Sequence, residues 1–167
     1  MPDDDKDALN RARQDAEQGK APFTQAGEFV KEEIHHVREG VHGARSPKQT
    51  IAIGLSKARR AGVKLPAPAK GKASEKVRTR AKHDIAKSRS HRKPSAKRSR
   101  ATKRALRRES HNTASRGFLS EQTRTSAARR SSTARHKSAR SSVRTKGTAG
   151  LRRAARKTAQ TKQRRNR

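Results

Sequence analysis

The sequence predicts a mostly α-helical protein: a small helical hairpin or three-helix head, followed by a long basic tail that is disordered or transiently helical on its own. Three observations lead there. Apolar residues recur at helical spacing in the first third of the chain, between capping residues and glycine stops. Large apolar residues are scarce, with six Leu, four Ile, six Val and three Phe among 167 residues, below the roughly 20% expected of a highly charged chain that folds throughout. Charge is divided sharply: residues 1–44 hold ten acids and six bases, whereas residues 45–167 hold four acids and forty bases, within a total net charge of +32.

Residues 1–6 form an acidic terminus, and residues 7–65 are assigned to the small helical domain. Its first helix is expected over residues 8–18, with Asp7 as cap and Gly19 as stop. A second follows Pro22, with Thr24 in the capping position. There Val30, Ile34, Val37 and Val41 fall at spacings of four, three and four on one helical face, and Gly40 supplies the end. Glu28, Glu32 and Glu33 suit its first half, where the helix dipole favours acids.

The strongest local signal is Ser46-Pro47-Lys48-Gln49, in which Ser caps, Pro takes the first helical position and Gln completes a capping box. The helix that starts there runs to Ala61 before Gly62 and presents Ile51, Leu55 and Ala58 as a stripe. Packing of Val30, Ile34 and Val37 against Ile51 and Leu55 would close a hairpin over the loop at residues 40–45. Eleven of the nineteen large apolar residues lie between Phe23 and Leu65, so the core is expected here. Cysteine is absent, which removes disulfide and thiolate support.

Residues 66–73, with two prolines and Gly-Lys, read as a linker. Residues 74–122 are read as basic helical segments; helices are expected beyond the linker over residues 74–87, 96–108 and 120–130, none with a face worth burying. Residues 123–167 narrow to Arg, Lys, Ser, Thr and Ala, a low-complexity tail without a regular repeat.

The stretch Ser46-Pro47-Lys48-Gln49-Thr50-Ile51-Ala52-Ile53-Gly54-Leu55-Ser56-Lys57-Ala58-Arg59-Arg60-Ala61-Gly62 resembles the hallmark of a family of small bacterial and phage proteins built on a domain of unknown function. The usual form of that motif is Lys-Gln-Ala-Ile-Ala-Ile-Ala-Leu, so this chain departs from it at Thr50 and Gly54. The resemblance covers roughly residues 20–66. It implies a bacterial or phage source and brings no activity or binding residues with it. The tail is similar in composition alone to histone-like basic tails.

A polyanionic partner accounts most simply for the charge. Segment 45–167, with net +36, is equivalent in charge to about 18 base pairs of duplex. Its Arg to Lys ratio of 25 to 15 favours bidentate phosphate contacts and minor-groove insertion. With three Phe and no Tyr or Trp, no stacking platform for single strands is evident. DNA is therefore favoured over RNA. The residues expected to contact nucleic acid are Arg98, Arg100, Lys103, Arg104, Arg107, Arg108, Arg129, Arg130, Arg135, Lys137, Arg140, Arg144, Lys146, Arg152, Arg153, Arg156, Lys157, Lys162, Arg164 and Arg165.

The expected function is sequence-independent, non-enzymatic binding of duplex DNA, histone-like or architectural in kind. The alternatives are an RNA- or ribosome-associated basic protein, or an adaptor whose head binds a protein partner or self-associates through residues 23–65. Lys48 and Gln49 at the start of the third helix are read as a cap and solvated first turn instead of base-reading groups, because the loop before it is longer than a helix-turn-helix turn. His35, His36 and His42 beside Glu32 are read as exposed helix and loop histidines, so no metal and no cofactor is expected. No catalytic group is expected, since a chain this poor in core residues offers no desolvated pocket. No run of about 18 apolar residues is present for a membrane span, and Met1-Pro2-Asp3-Asp4-Asp5 is unlike a signal peptide. The expected location is cytoplasmic, on the nucleoid in a bacterium.

Overall fold

A computed structural model describes the backbone of residues 3–90 and 95–165 and the side chains of residues 6–90 and 95–164. Within them the regular structure is entirely helical: α1 (Asp3–Glu17), α2 (Pro22–Arg38), α3 (Pro47–Arg60), α4 (Glu75–Ser88), α5 (Ala96–Arg107), α6 (Arg116–Ala128) and α7 (Ser132–Arg165), with a 3-10 turn at Asn112–Ala114. The chain divides into two compact units, residues 1–122 and 123–167.

In the first unit α2 lies against both α1 and α3. The helix grammar of the head is visible at its ends. Gly19, Gly40 and Gly62 close α1, α2 and α3 with positive φ, a backbone state that costs glycine little. Ser46 caps α3 by accepting from the Gln49 amide at 3.3 Å, while the Gln49 side chain accepts from the Arg45 amide instead of that of Ser46. Two expected caps are corrected. Asp7 lies inside α1, which starts at Asp3. Thr24 lies inside α2, where Pro22 opens the helix and Ala21 precedes it.

The core is built largely from alanine. Ala8 and Ala12 of α1, Ala26 and Phe29 of α2, Ala58 of α3 and Leu65 beyond it form one buried cluster, flanked by Leu9, Leu55, Ala61 and Val63. Counting large apolar residues places the core in residues 23–65. Small side chains let α1 approach α2 closely, so α1 joins it despite its thin apolar face. On the second helix the buried face runs through Ala26, Phe29, Glu33, His36 and Val37. Val30 and Ile34 are half-buried, as are Ile51 and Leu55 on α3. Val41 lies past the end of α2 and is 54% exposed, because the turn at Gly40 carries it off the helical face.

The segments after residue 66 do not all lack a buried face. α4 packs on α3 and buries Ala81 and Asp84. Asp84 accepts from the Ser56 hydroxyl and lies 3.6 Å from Arg60. Residues 66–73 are irregular and are held at two carbonyls, Pro66 by Arg59 and Pro68 by Arg78. A second small cluster, Val37, Ala44 and Ala114 with Ile34 beside it, brings the Asn112–Ala114 turn onto the head. Backbone bonds complete the joint: the Gly43 amide donates to Leu106 and the Ala44 amide to Ser110, while Arg38 donates to the Ala114 carbonyl.

α5 and α6 bury no residue. The second unit is dominated by α7, 34 residues long with non-helical backbone at Gly147 (φ 64°, ψ 172°) that divides it into two helical stretches. A disordered tail is therefore not what the structure contains. The tail's Ala, Arg and Lys are good helix formers, and Gly147 supplies the break. No helix of the described residues is long and apolar enough to cross a membrane.

Candidate nucleic-acid interface

The cations of the second half fall into two sets, sorted by whether an acid is near. Only four acids follow residue 45, namely Glu75, Asp84, Glu109 and Glu121. Two of them fasten later segments to the head: Asp84 faces Ser56 and Arg60 of α3, and Glu109 takes the Arg45 guanidinium at 2.7 Å. Glu75 pairs with Arg78 inside α4. No acid follows Glu121.

The cations expected to meet nucleic acid are the other set. Arg98, Arg100, Lys103, Arg104 and Arg107 lie on α5, and Arg108 ends it. Arg129 and Arg130 sit between α6 and α7, and Arg135 through Arg164 lie along α7. All of them are exposed. The side chain of Arg165 lies outside the described residues. Among the described residues none of these cations forms an ion pair; those present engage Arg11, Lys20, Lys31, Arg45, Lys57, Arg60 and Arg78 of the first unit, with His35, His36 and His42.

Spacing concentrates the charge. Arg100, Lys103, Arg104 and Arg107 line one shallow depression along α5, since residues three and four apart share a helix face. His136, Lys137, Arg140 and Arg144 line another along α7, interleaved with Ser132, Thr133 and Ser141. Like charges at such spacing destabilise an isolated helix by about 0.2–0.5 kcal/mol per pair. Neither α5 nor α7 contains an acid to relieve this. Guanidinium and ammonium groups interspersed with hydroxyls are suited to phosphate oxygens, which accept from both.

A different cluster lies within the head. Glu33 has no exposed surface. Its carboxylate lies 3.0 Å from Nε2 of His42, 2.8 Å from Nζ of Lys57 and 4.0 Å from Nδ1 of His36. Burial pushes the Glu33 carboxyl up, but the His42 bond and the Lys57 charge outweigh it and hold its pKa below the ordinary value. The same bond to Glu33 raises His42, against the effect of burial. His36 is buried and His42 half-buried, contrary to their reading as exposed helix and loop histidines, and the carboxylate that meets both rings is Glu33, not Glu32. One sequence signal marks it: Phe29, Glu33 and Val37 are each four apart, which places Glu33 within an apolar stripe.

Lys48 is exposed and Gln49 is engaged in the α3 cap, as the reading of a solvated first turn has it. Residues 24–70 match a family of unknown function (DUF6496). The DUF6496 match takes in α2 from its third residue, α3 and the irregular segment through Pro66 and Pro68. It stops short of α4, so every cation expected to meet nucleic acid lies outside it. No curated protein and no solved structure matches the chain.

Proposed function

We propose that the protein is a non-enzymatic, sequence-independent binder of duplex DNA, acting through phosphate contacts from α5 and α7, with an architectural role that in a bacterium would place it on the nucleoid. One observation carries the reading: the cations on these helices are exposed and free of carboxylates, while nearby acids serve to dock α4 and the residues after α5 onto the head. A helix bearing cations at every turn gains most from a partner that brings a regular array of anions, and a duplex offers one phosphate charge per about 1.7 Å of its axis. The large Arg share supports duplex over single strands, and Phe23 and Phe118, the exposed aromatics, lie far apart in sequence and provide no run of stacking surfaces.

The test is a titration of the full chain with duplex DNA, single-stranded DNA and structured RNA at several salt concentrations. Duplex is expected to bind tightest at low salt, with affinities that hardly depend on its sequence. If ten cations engage, log Kd should change against log salt with a slope of magnitude about 9. Absence of duplex binding at low salt would overturn the reading. Preference for structured RNA would move the proposal to an RNA-associated role.

A further inference from the structure

We propose that Glu33, His36 and His42 form a binding site for a divalent transition metal of the zinc class, independent of the basic helices. One donor atom from each of the three side chains lies within 4.8 Å of the other two. Two imidazoles and a carboxylate suit a borderline cation such as Zn²⁺, and three protein donors leave one coordination position open. The site is partly dry: Glu33 has no exposed surface and the His36 side chain keeps 6%, while His42 at 15% gives a route to solvent.

The surroundings of the two rings carry the argument further than proximity alone. A metal-bound histidine usually donates its other ring N–H to a carbonyl or a carboxylate, which sets the ring's orientation and basicity. Nδ1 of His42 donates to the Gly43 carbonyl at 3.1 Å, so Nε2 is the atom that faces Glu33. Nδ1 of His36 faces Glu33, and its Nε2 faces Oε1 of Glu32 at 3.7 Å. Glu32 is held in turn by Arg11 at 2.6 Å. His42 thus has one nitrogen on the shared carboxylate and the other bonded to an acceptor outside it, while the His36 nitrogens face Glu33 and Glu32 from beyond hydrogen-bond distance. The rings stand edge to face, with centroids 6.1 Å apart.

Lys57 is the group an ion would displace. Its ammonium lies 2.8 Å from Glu33 and its side chain is 24% exposed, so it can swing toward solvent when a divalent cation takes over the balance of the carboxylate's charge. Binding would also fix the loop that holds His42 to α2. That loop carries the bonds from Gly43 to Leu106 in the last turn of α5 and from Ala44 to Ser110, so the ion would tighten the docking of that turn and the residues after it.

The experiment uses the full chain, stripped with chelator and titrated with Zn²⁺ alone by calorimetry, with Co²⁺ as a spectroscopic probe. One Zn²⁺ per chain, a raised Tm and a Co²⁺ spectrum of low coordination number are expected. Replacing His36→Gln or His42→Gln should weaken Zn²⁺ at least about tenfold, the smallest loss usual for an outer partner of a metal ligand. Lys57→Met should tighten it, and His83→Gln and His136→Gln should leave it unchanged. Absence of one-to-one binding overturns the proposal, and so does unchanged affinity in both His36→Gln and His42→Gln. If those two variants lose their helical circular dichroism, Lys57→Met decides: tighter binding supports the site, and unchanged or weaker binding overturns it.

Discussion

The Cβ that Gly54 lacks would fall 2.7 Å from the Cα of Val30 and 2.9 Å from its amide nitrogen. Glycine in mid-helix costs about 1 kcal/mol relative to alanine, but here it lets α3 meet the backbone of α2. Glycine at this position is therefore a packing feature. Gly54→Ala is expected to destabilise the head by about 1–3 kcal/mol in spite of the gain in helix propensity, read as a lower denaturant midpoint. A more stable variant would show that the two helices separate without cost.

Gly43 has the same relation to a more distant segment. A Cβ there would overlap the carbonyl of Glu109 and lie 2.9 Å from that of Ser110. Gly43→Ala should release the residues after α5, seen as faster hydrogen exchange at the Gly43 and Ala44 amides, with α1 to α3 still protected.

Thr50 is fully buried, and its hydroxyl has no hydrogen-bond partner among the described residues. A buried hydroxyl without a partner costs about 1–3 kcal/mol. Thr50→Val keeps the shape and removes the polar atom, so thermal unfolding should move upward by several degrees. A fall in Tm would mean that the hydroxyl is bonded in solution.

Asp84 is 3% exposed and accepts from Ser56. Asp84→Ala removes an acceptor of a charge-assisted bond, a loss of about 1.5–3 kcal/mol. Detachment of α4 from α3 is the expected result, measured as proteolysis at residues 66–73 at a rate well above that of the parent protein.

Replacing Arg100, Lys103, Arg104 and Arg107 together with Gln tests the α5 face. Every cation withdrawn from a phosphate reduces the salt slope for duplex by about 0.9, so the four together should lower it by up to about 3.6. Helical circular dichroism should be unchanged, since none of the four is buried. An unaltered slope would assign the binding to α7 alone.

Much of the head is legible from local chemistry. Ser46, Pro47 and Gln49 announce the start of α3, and Gly19, Gly40 and Gly62 announce three helix ends, because capping and positive φ depend on residues within a turn of one another. The buried face of α2 was less legible. Val30 and Val41 obey helical spacing, yet Phe29, Glu33 and His36 take the interior, since a face is chosen by what packs against it. Alanines carry little weight in a count of large apolar residues, so the contributions of Ala8, Ala12 and Ala114 to the core emerge only when helices approach closely.

Sequence alone determined the division of charge, with an acid-rich head and no acid after Glu121, and most of the helix ends in the head. Tertiary structure decided which charges are spent. Asp84 and Glu109 have forty basic residues after residue 44 as possible partners, and nothing in composition distinguishes them. Packing of α4 on α3, and of the Asn112–Ala114 turn beneath α2, selects Arg60 and Arg45. It also gathers His36, His42 and Lys57 around the buried carboxylate of Glu33. Local signals act over about four residues, whereas the pairing of one buried carboxylate with a cation far along the chain is set by distance in space.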